Sequence, residues 1–492
     1  MALAGTTGGR ASPSAVGTWA GTARRSLGAK LSETLSLDDY GAVGDWNGTT
    51  GTNDYTAISN AIAAAAAAEV PLVIPGRQFY IGSYSSHGII YNITGIPEII
   101  AHTGAKIVLN TTASVTPMVF GLDVANGFRL SGDLTFEDAG YNPAIDWKGA
   151  YGLVINPTVG DCTNLDITVK GKNVVGALLF RLMTYEIRNA RIQVEFDNVY
   201  YGFLAQSCGD NVIGQIRGTA AKRSYFVHGV RNHKIQLVHK NPNDAQSDIV
   251  IKQYARQLEN VEVDAVIHGT ETGHSQRLRL EIESDGAATM RNVAVRVEQR
   301  DVDIPVGVAF SMYTASTVVD SGGTKKFEDI RITSRDLGWD PIWTVSGVPA
   351  QDIIVDTDEP TLQMMIARDS FPANYVTFRS GDTLARQVMG DGTNGLNTKS
   401  VKFDLRPLNG RTIFGELTVC AIDGTNRTLV QYHVLTTCTA NVAAIVGTPV
   451  AFGQVSTGTA STTTLAVTGG YLTVASSYAG VFGRLFCRLR IA

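Results

Sequence analysis

Cysteine is scarce in this chain, and no pairing of its thiols suggests a framework. The five residues Cys162, Cys208, Cys420, Cys438 and Cys487 are scattered over 492 positions. No C-x-x-C pair occurs, so neither a zinc ribbon nor a disulfide scaffold is expected, and buried free thiols are. Long apolar runs are missing too. No segment approaches the ~18 apolar residues of a membrane span, and the start "MALAGTTGGRASPSAVGTW" lacks the continuous apolar stretch of a secretory signal. A net charge of −4 offers no basic surface to attract nucleic acid. Neither an H-E-x-x-H helix, a P-loop nor a G-x-S-x-G elbow appears, so metalloprotease, NTPase and α/β-hydrolase chemistries have no motif behind them. No metal, cofactor, membrane or nucleic-acid partner is expected.

Glycine is abundant, with 51 copies against 15 prolines, which points to frequent tight turns. Residues 1–36 are rich in Gly, Ala, Ser and Thr and support no core of their own. Trp19, Arg24 and Arg25 are the features there that could anchor a docking peptide. A helix follows. Asn53 and Asp54 are good N-cap types, Tyr55, Ile58 and Ile62 share one helical face, and the alanines from Ala63 to Ala68 let a helix lie close to a partner. Pro71 is expected to end it.

Everything after that reads as strand. "LDITVKG", "RIQVEFDN" and "NVIGQIRG" alternate apolar and polar residues. Ile167, Ile192 and Ile216 recur at intervals near 25 residues, as do Leu178, Phe203 and Phe226. "EDIRITS" and "QDIIVDT" align without a gap, which places Ile332 over Val355. Short strands at this period with no helices between them indicate a β-solenoid. Between about 240 and 325 the runs crowd together and the coil register is open. A solenoid exposes strand edges at its end, so the alanine-rich helix is expected to cap it. From about residue 370 the strands lengthen. In "RLFCRLRIA", Leu485, Cys487, Leu489 and Ile491 share one face and Arg484, Arg488 and Arg490 the other. This predicts an antiparallel β-sandwich over 370–492, following a parallel β-helix over 37–369.

"AKLSETLSLDDYGAVGD", "NDYTAISNAI" and "VPLVIPGRQFYIG" together resemble the opening of pectate-lyase-like right-handed parallel β-helices, in the form seen in bacteriophage tailspikes and capsule depolymerases. The resemblance covers about residues 29–82. Tyr40, Gly41, Ala42, Gly44 and Asp45 match the family's turn, whereas Trp46 stands where a glycine is usual. Asp45 is expected to shape the turn as an Asx residue, with no catalytic role. The resemblance implies a homotrimer in a virion tail, assembled in the host cytoplasm and held by residues 1–36 to a tail adaptor or baseplate protein. It also implies binding, and usually cleavage, of a bacterial surface polysaccharide such as capsule, O-antigen or exopolysaccharide. An endo-glycosidase is expected ahead of a lyase. A non-enzymatic adhesin and a purely structural spike are the alternatives.

Glycosidic hydrolysis needs two carboxyl groups. Neighbouring coils offer spacings of roughly 4.8 Å, and i, i+2 positions roughly 6.6 Å, both near those that glycosidases use. The densest candidate set lies in "VEVDAVIHG", "RLRLEIES" and "VAVRVEQ". With Val261, Val263, Leu280, Ile282, Val295 and Val297 inward, the outward residues include Glu262, Asp264, Glu281 and Glu283 as candidate catalytic acids. Arg279, Arg296 and Glu298 join them as candidate substrate ligands, and Trp339 and Trp343 could stack on sugar rings. The blander reading is a surface ladder of ion pairs. Rival sets are Glu195 with Asp197, and Asp336 with Asp340 beside the two tryptophans. His228, Arg231, His233 and Lys234 form a further set that would suit a lyase.

Overall fold

The computed structural model describes residues 33–145, 148–181, 184–206, 208–241, 248–253, 257–268, 278–282, 288–300, 310–314, 325–335, 343–346, 350–351, 353–357, 376–380, 383–389, 399–404, 412–423, 426–439, 442–445, 450–468, 471–477 and 484–491. The chain divides into two units, Met1–Leu204 with Cys208–Arg217, and Ala205–Ser207 with Gly218–Ala492.

The first unit is a parallel β-helix whose coils are built from three stacks. One runs from Leu35–Ser36 through Leu72–Ile74, Glu98–Ala101 and Arg129–Gly132 to Asp166 and Ile167. A second runs from Gln78–Tyr84 through Lys106–Thr111 and Thr135–Asp138 to Lys170–Lys172. The third joins Gly88–Ile93, Pro117–Leu122, Tyr151–Ile155 and the end of Cys162–Phe180. Alternation along each strand sends one side chain in two to the interior. Phe79, Ile107 and Phe136 share a fully buried column. Tyr91, Phe120 and Phe136 meet edge to face at 5.4 and 5.2 Å, a favoured aromatic geometry.

The helix spans Tyr55–Ala68 and buries Ile58, Ala61, Ile62 and Ala65 against the first strands, which closes the end of the solenoid. It stops earlier than Pro71 requires. Glu69 turns into the left-handed region at φ 52° and its N–H caps the carbonyls of Ala65 and Ala66. The Asp54 carboxylate accepts hydrogen bonds from Val43 N–H at 2.7 Å and Gly44 N–H at 3.0 Å, sewing the glycine turn to the helix. At Gly44 (φ +64°) a Cβ would lie 2.8 Å from the Phe79 ring, so glycine is required there. Asp45 accepts from the Thr52 N–H and hydroxyl at 2.6 and 2.9 Å, which is the expected turn role. Trp46 lies flat on Tyr80, with ring centroids 4.5 Å apart. Residues 1–32, with Trp19, Arg24 and Arg25, lie outside the described residues. Leu35 and Ser36 already pair with Leu72 and Val73, so the solenoid takes in residues ahead of 37.

A column of asparagines marks one corner of the first unit. Asn164 donates to Asn126 at 3.0 Å, Asn189 to Asn164 at 3.2 Å, and Asn211 to Asn189 at 2.8 Å. Asn164, Asn189 and Asn211 adopt φ near +56°, a conformation asparagine tolerates better than other side chains. Successive rungs are 38, 25 and 22 residues apart.

The second unit starts with the same architecture. Arg231–Lys240, Leu258–His268, Ala288–Arg300 and Lys325–Arg335 form one parallel stack. The Tyr225–His228 end of the preceding strand, Ile249–Gln253, Leu278–Ile282, Phe310–Thr314 and Trp343–Ser346 form another. The crowded runs of the sequence are explained by this alternation, because consecutive runs belong to different sides of one coil. Asn232, Asn260 and Asn292 form a ladder of their own at 2.8 and 2.7 Å, with rungs 28 and 32 residues apart. Ile332 pairs with Val355 as the gapless alignment predicts.

Parallel pairing ends at Val376–Ser380, which pairs in parallel with Ile353–Thr357 and antiparallel with Thr383–Met389. Two antiparallel sheets follow. The larger includes Arg484–Ile491, Thr412–Asp423, Asn426–Thr439 and Val450–Thr457; the smaller holds Lys399–Asp404, Tyr471–Ser476 and Thr463–Thr468. Leu417, Val419, Val434, Leu472, Val474, Leu485 and Leu489 form a core common to both sheets, which makes the pair a sandwich. Cys162, Cys208 and Cys487 are buried free thiols. Among the described residues no helix is long and apolar enough to cross a membrane, and no group of three His, Cys, Asp or Glu could hold a metal.

Candidate functional site

The inward set Val261, Val263, Leu280, Ile282, Val295 and Val297 is buried, as alternation requires. The outward residues do not form one surface, because the strands that carry them belong to two stacks. Glu262 and Asp264 lie on Leu258–His268, and Arg296 and Glu298 on the neighbouring Ala288–Arg300. Arg279 and Glu281 lie on Leu278–Ile282, which pairs with Ile249–Gln253 instead. Glu283 and Trp339, like Asp336 and Asp340, lie outside the described residues. Trp343 shares a register column with Phe310 and Leu278.

The Glu262 stack is a solvated ladder of ion pairs. Lys234 Nζ lies 3.0 Å from Glu262, Arg296 4.0 Å from Asp264 and 3.7 Å from Glu298, and Arg300 2.6 Å from Glu298. More than half of the Glu262 and Asp264 side-chain surface is exposed, so these pairs contribute little to stability. A comparable ladder crosses the first unit. Lys170 Nζ lies 2.5 Å from Asp133 and 2.8 Å from Glu195, and Arg217 also binds Glu195. Burial alone would raise the Glu195 carboxyl, but hydrogen bonds from Lys170 and Arg217 outweigh it and hold it below its ordinary 4.5. Glu195 is therefore ionised at neutral pH and unsuited to be a proton donor, while Asp197 faces solvent two residues on.

The second stack is different. His228, Lys252 and Glu281 occupy one register column in successive coils. By alternation the column faces away from the inward Leu280 and Ile282, yet Glu281 is only 3% exposed and so differs from the solvated ion-pair ladder of the blander reading. Its carboxylate is met by Arg279 Nη2 at 2.8 Å and by Lys252 Nζ at 3.7 Å. A carboxylate withdrawn from water survives as an ion only with such partners. His228 sits edge-on to Phe226 at 4.5 Å, and Arg223 lies over the other ring of that contact, 4.7 Å from the Phe226 centroid. Burial, then the positive charges of Lys252 and Arg223, push the His228 imidazole down to about 3, so it is neutral. Arg279 and Lys252 hold the Glu281 carboxylate, and Lys252 and Arg223 act on the neutral His228 imidazole, so these groups together carry more positive than negative charge.

The histidine-rich stretch divides between the two sides of the coil. Arg231 and Lys234 belong to the Glu262 stack, and His233 is buried beside Tyr225, its Nδ1 3.0 Å from the Tyr225 hydroxyl. Only His228 joins the recessed cluster. Arg223 and Lys252 were not singled out from the sequence, although Lys252 falls one coil after His228 and interrupts the apolar run "IVIKQ". That interruption is the available signal.

No protein-family model matches the chain, and no curated protein matches it. Among solved structures, it is similar to the tailspike of Acinetobacter baumannii bacteriophage Fri1, a capsular polysaccharide depolymerase, at 10% identity and a TM-score of 0.33, over 94% of this chain and 86% of that one. The Dettilon tailspike shares 10% identity and a TM-score of 0.36, over 95% of each chain. The tailspike of Acinetobacter baumannii bacteriophage AP22, solved with a capsular saccharide, shares 9% identity and a TM-score of 0.36, over 95% of this chain and 97% of that one.

Proposed function

We propose that the protein is a phage tailspike that binds a bacterial surface polysaccharide and cuts it, with the Arg223, His228, Lys252, Arg279 and Glu281 cluster as the site. The observation that carries this reading is the burial of Glu281 among cations on an outward column, a costly arrangement that a purely structural strand face does not need. The excess of positive charge suits an acidic sugar. Lys252, Arg223 or Arg279 would neutralise a uronate carboxylate and so acidify the adjacent carbon. The neutral His228 would take that proton, the glycosidic carbon–oxygen bond would break, and the leaving oxygen would be protonated, giving an unsaturated sugar end. Binding an anion beside His228 opposes the two cations that depress it, which raises its basicity when substrate arrives. Hydrolysis is the second reading. It is favoured by the paired acids on single strand faces, Glu262 with Asp264 and Glu195 with Asp197, though each of these faces is engaged in ion pairs.

The test is direct. Full-length protein is incubated with uronate-containing and neutral capsular polysaccharides, and products are sized and read by ultraviolet absorbance. Shortened acidic chains with a new ultraviolet-absorbing end are expected. Shortening without absorbance would select hydrolysis, and retention of every polysaccharide at full length would leave a non-enzymatic adhesin.

The same reading includes a homotrimer in the virion tail. The outer face of the larger C-terminal sheet exposes Phe414, Leu429, Val450, Phe452 and Val455. His433 is stacked between Phe414 and Phe452, at 5.8 and 4.2 Å. Such a patch is the surface that three copies would cover. The residues ahead of Leu35, rather than all of 1–36, would bind a tail adaptor or baseplate protein. A chain starting at Leu31 is expected to fold and engage polysaccharide but to fail to join particles that lack the native spike; normal incorporation would remove the docking role.

A further inference from the structure

A cleft of about 410 Å³ opens in the first unit between the first turn of the helix and the segment from Ile81 to Ile90. Its volume falls in the range of roughly 300–1,000 Å³ typical of small-molecule sites. One wall is the Tyr55 ring. It stacks on Tyr91 at 5.1 Å with 26° between planes, and Tyr91 is itself braced edge-on by Phe120. Tyr55 therefore keeps one flat face fixed, lines the cleft, and leaves 37% of the residue exposed.

The floor is Gly82, at φ +102°, where an added Cβ would lie 3.0 Å from Asn53 Nδ2. The backbone can sink there only because the residue is glycine. Asn53 is held in place because its Oδ1 accepts the Tyr55 N–H at 3.0 Å. Thr56, Ser83 and His87 add side chains that can donate or accept hydrogen bonds, and Tyr84 is fixed by its hydroxyl on the Ile81 carbonyl at 2.7 Å. None of the lining residues is Lys, Arg, Asp or Glu.

We infer that this cleft is a second saccharide-binding site, built for an uncharged sugar unit and separate in chemistry from the cationic His228 cluster. A braced aromatic face takes the C–H side of a pyranose ring, and the surrounding amide and hydroxyl groups take its hydroxyls. The lack of charge in the lining leaves a uronate carboxylate unpaired there, so the cleft discriminates against it. This inference rests on the protein's being a polysaccharide binder but not on its cutting one.

The experiment uses full-length wild type, Tyr55→Ala, Thr56→Arg and Lys252→Met on an array of neutral and uronate-containing bacterial glycans. Thr56 is exposed, so the arginine fills the cleft without disturbing the core. Wild type is expected to retain at least one neutral glycan, with binding reduced about tenfold or more in Tyr55→Ala and Thr56→Arg and unchanged in Lys252→Met. Lys252→Met is expected to weaken only the acidic glycans. Absence of neutral binding in wild type, or neutral binding that survives Thr56→Arg, would overturn the inference. Acidic-glycan binding that survives Lys252→Met would count against the proposed cutting site and leave the cleft standing.

Discussion

Lys252 reaches Glu281 across one coil, Nζ to Oε2 at 3.7 Å, and 14% and 4% of the two side chains remain exposed. The pair can hold its charges so far from water because Arg279 adds a closer contact at 2.8 Å. Lys252→Met keeps the bulk of the stem and removes one cation. Unfolding in urea is expected to show a loss smaller than the about 3–5 kcal/mol of a wholly uncompensated buried charge, since Arg279 remains. Cleavage of an acidic polysaccharide is expected to fall on the order of 10²-fold or more, as removal of one preorganised electrostatic group typically costs. Unchanged turnover would move the site elsewhere.

His228 supplies the pH dependence. Its folded value is lowered from the ordinary 6.5 to about 3, by burial first and then by Lys252 and Arg223. Between those values the unfolded chain holds a proton that the folded chain does not, so folding stability falls as pH drops through that window. His228→Asn should flatten this part of the stability curve measured by denaturant midpoints at pH 7, 5 and 4. An identical slope in the variant would show that His228 titrates freely.

Asn189 both donates and accepts within its column, at 3.2 and 2.8 Å, and holds φ +56°. Asn189→Ala loses both amide bonds and meets the left-handed penalty, for a total of roughly 2 kcal/mol at this exposed position. Asn189→Gly loses the bonds alone and is expected to recover roughly 1 kcal/mol of that. Equal destabilisation by both variants would assign the whole effect to the ladder.

Phe452 is 47% exposed and stacked on His433, on the strand Val450–Thr457 that borders the apolar face of the C-terminal sheet. If that face is the trimer contact, Phe452→Asp should shift the mass in light scattering from three copies to a monomer near 52.5 kDa. The sandwich core lies on the opposite face, so circular dichroism is expected to be unchanged.

Much of this scaffold could be read from local pattern. Ile332 over Val355, the face shared by Leu485, Cys487 and Leu489, and the helix that buries Ile58 and Ile62 all follow from period and alternation. The site was less legible for a specific reason. Alternation tells which residues of one strand point outward, but not which side of the coil the strand occupies. Glu262 and Glu281 look equivalent in sequence, yet one is solvated beside Lys234 and the other is buried beside Arg279. The cleft at Tyr55 was invisible because Gly82 and Asn53 meet only once the coil has closed.

The rungs Asn126, Asn164, Asn189 and Asn211 stay bonded while the chain between them shortens from 38 residues to 22. Frame and interval are thus separable: the corner keeps count, and the excursion between corners is free to change length. Each doubling of such an excursion costs only about 0.6 kcal/mol in closure entropy. Segments can be exchanged or extended between rungs without re-registering the coils above or below. One excursion can therefore be rewritten at a time while the spine of asparagines is kept.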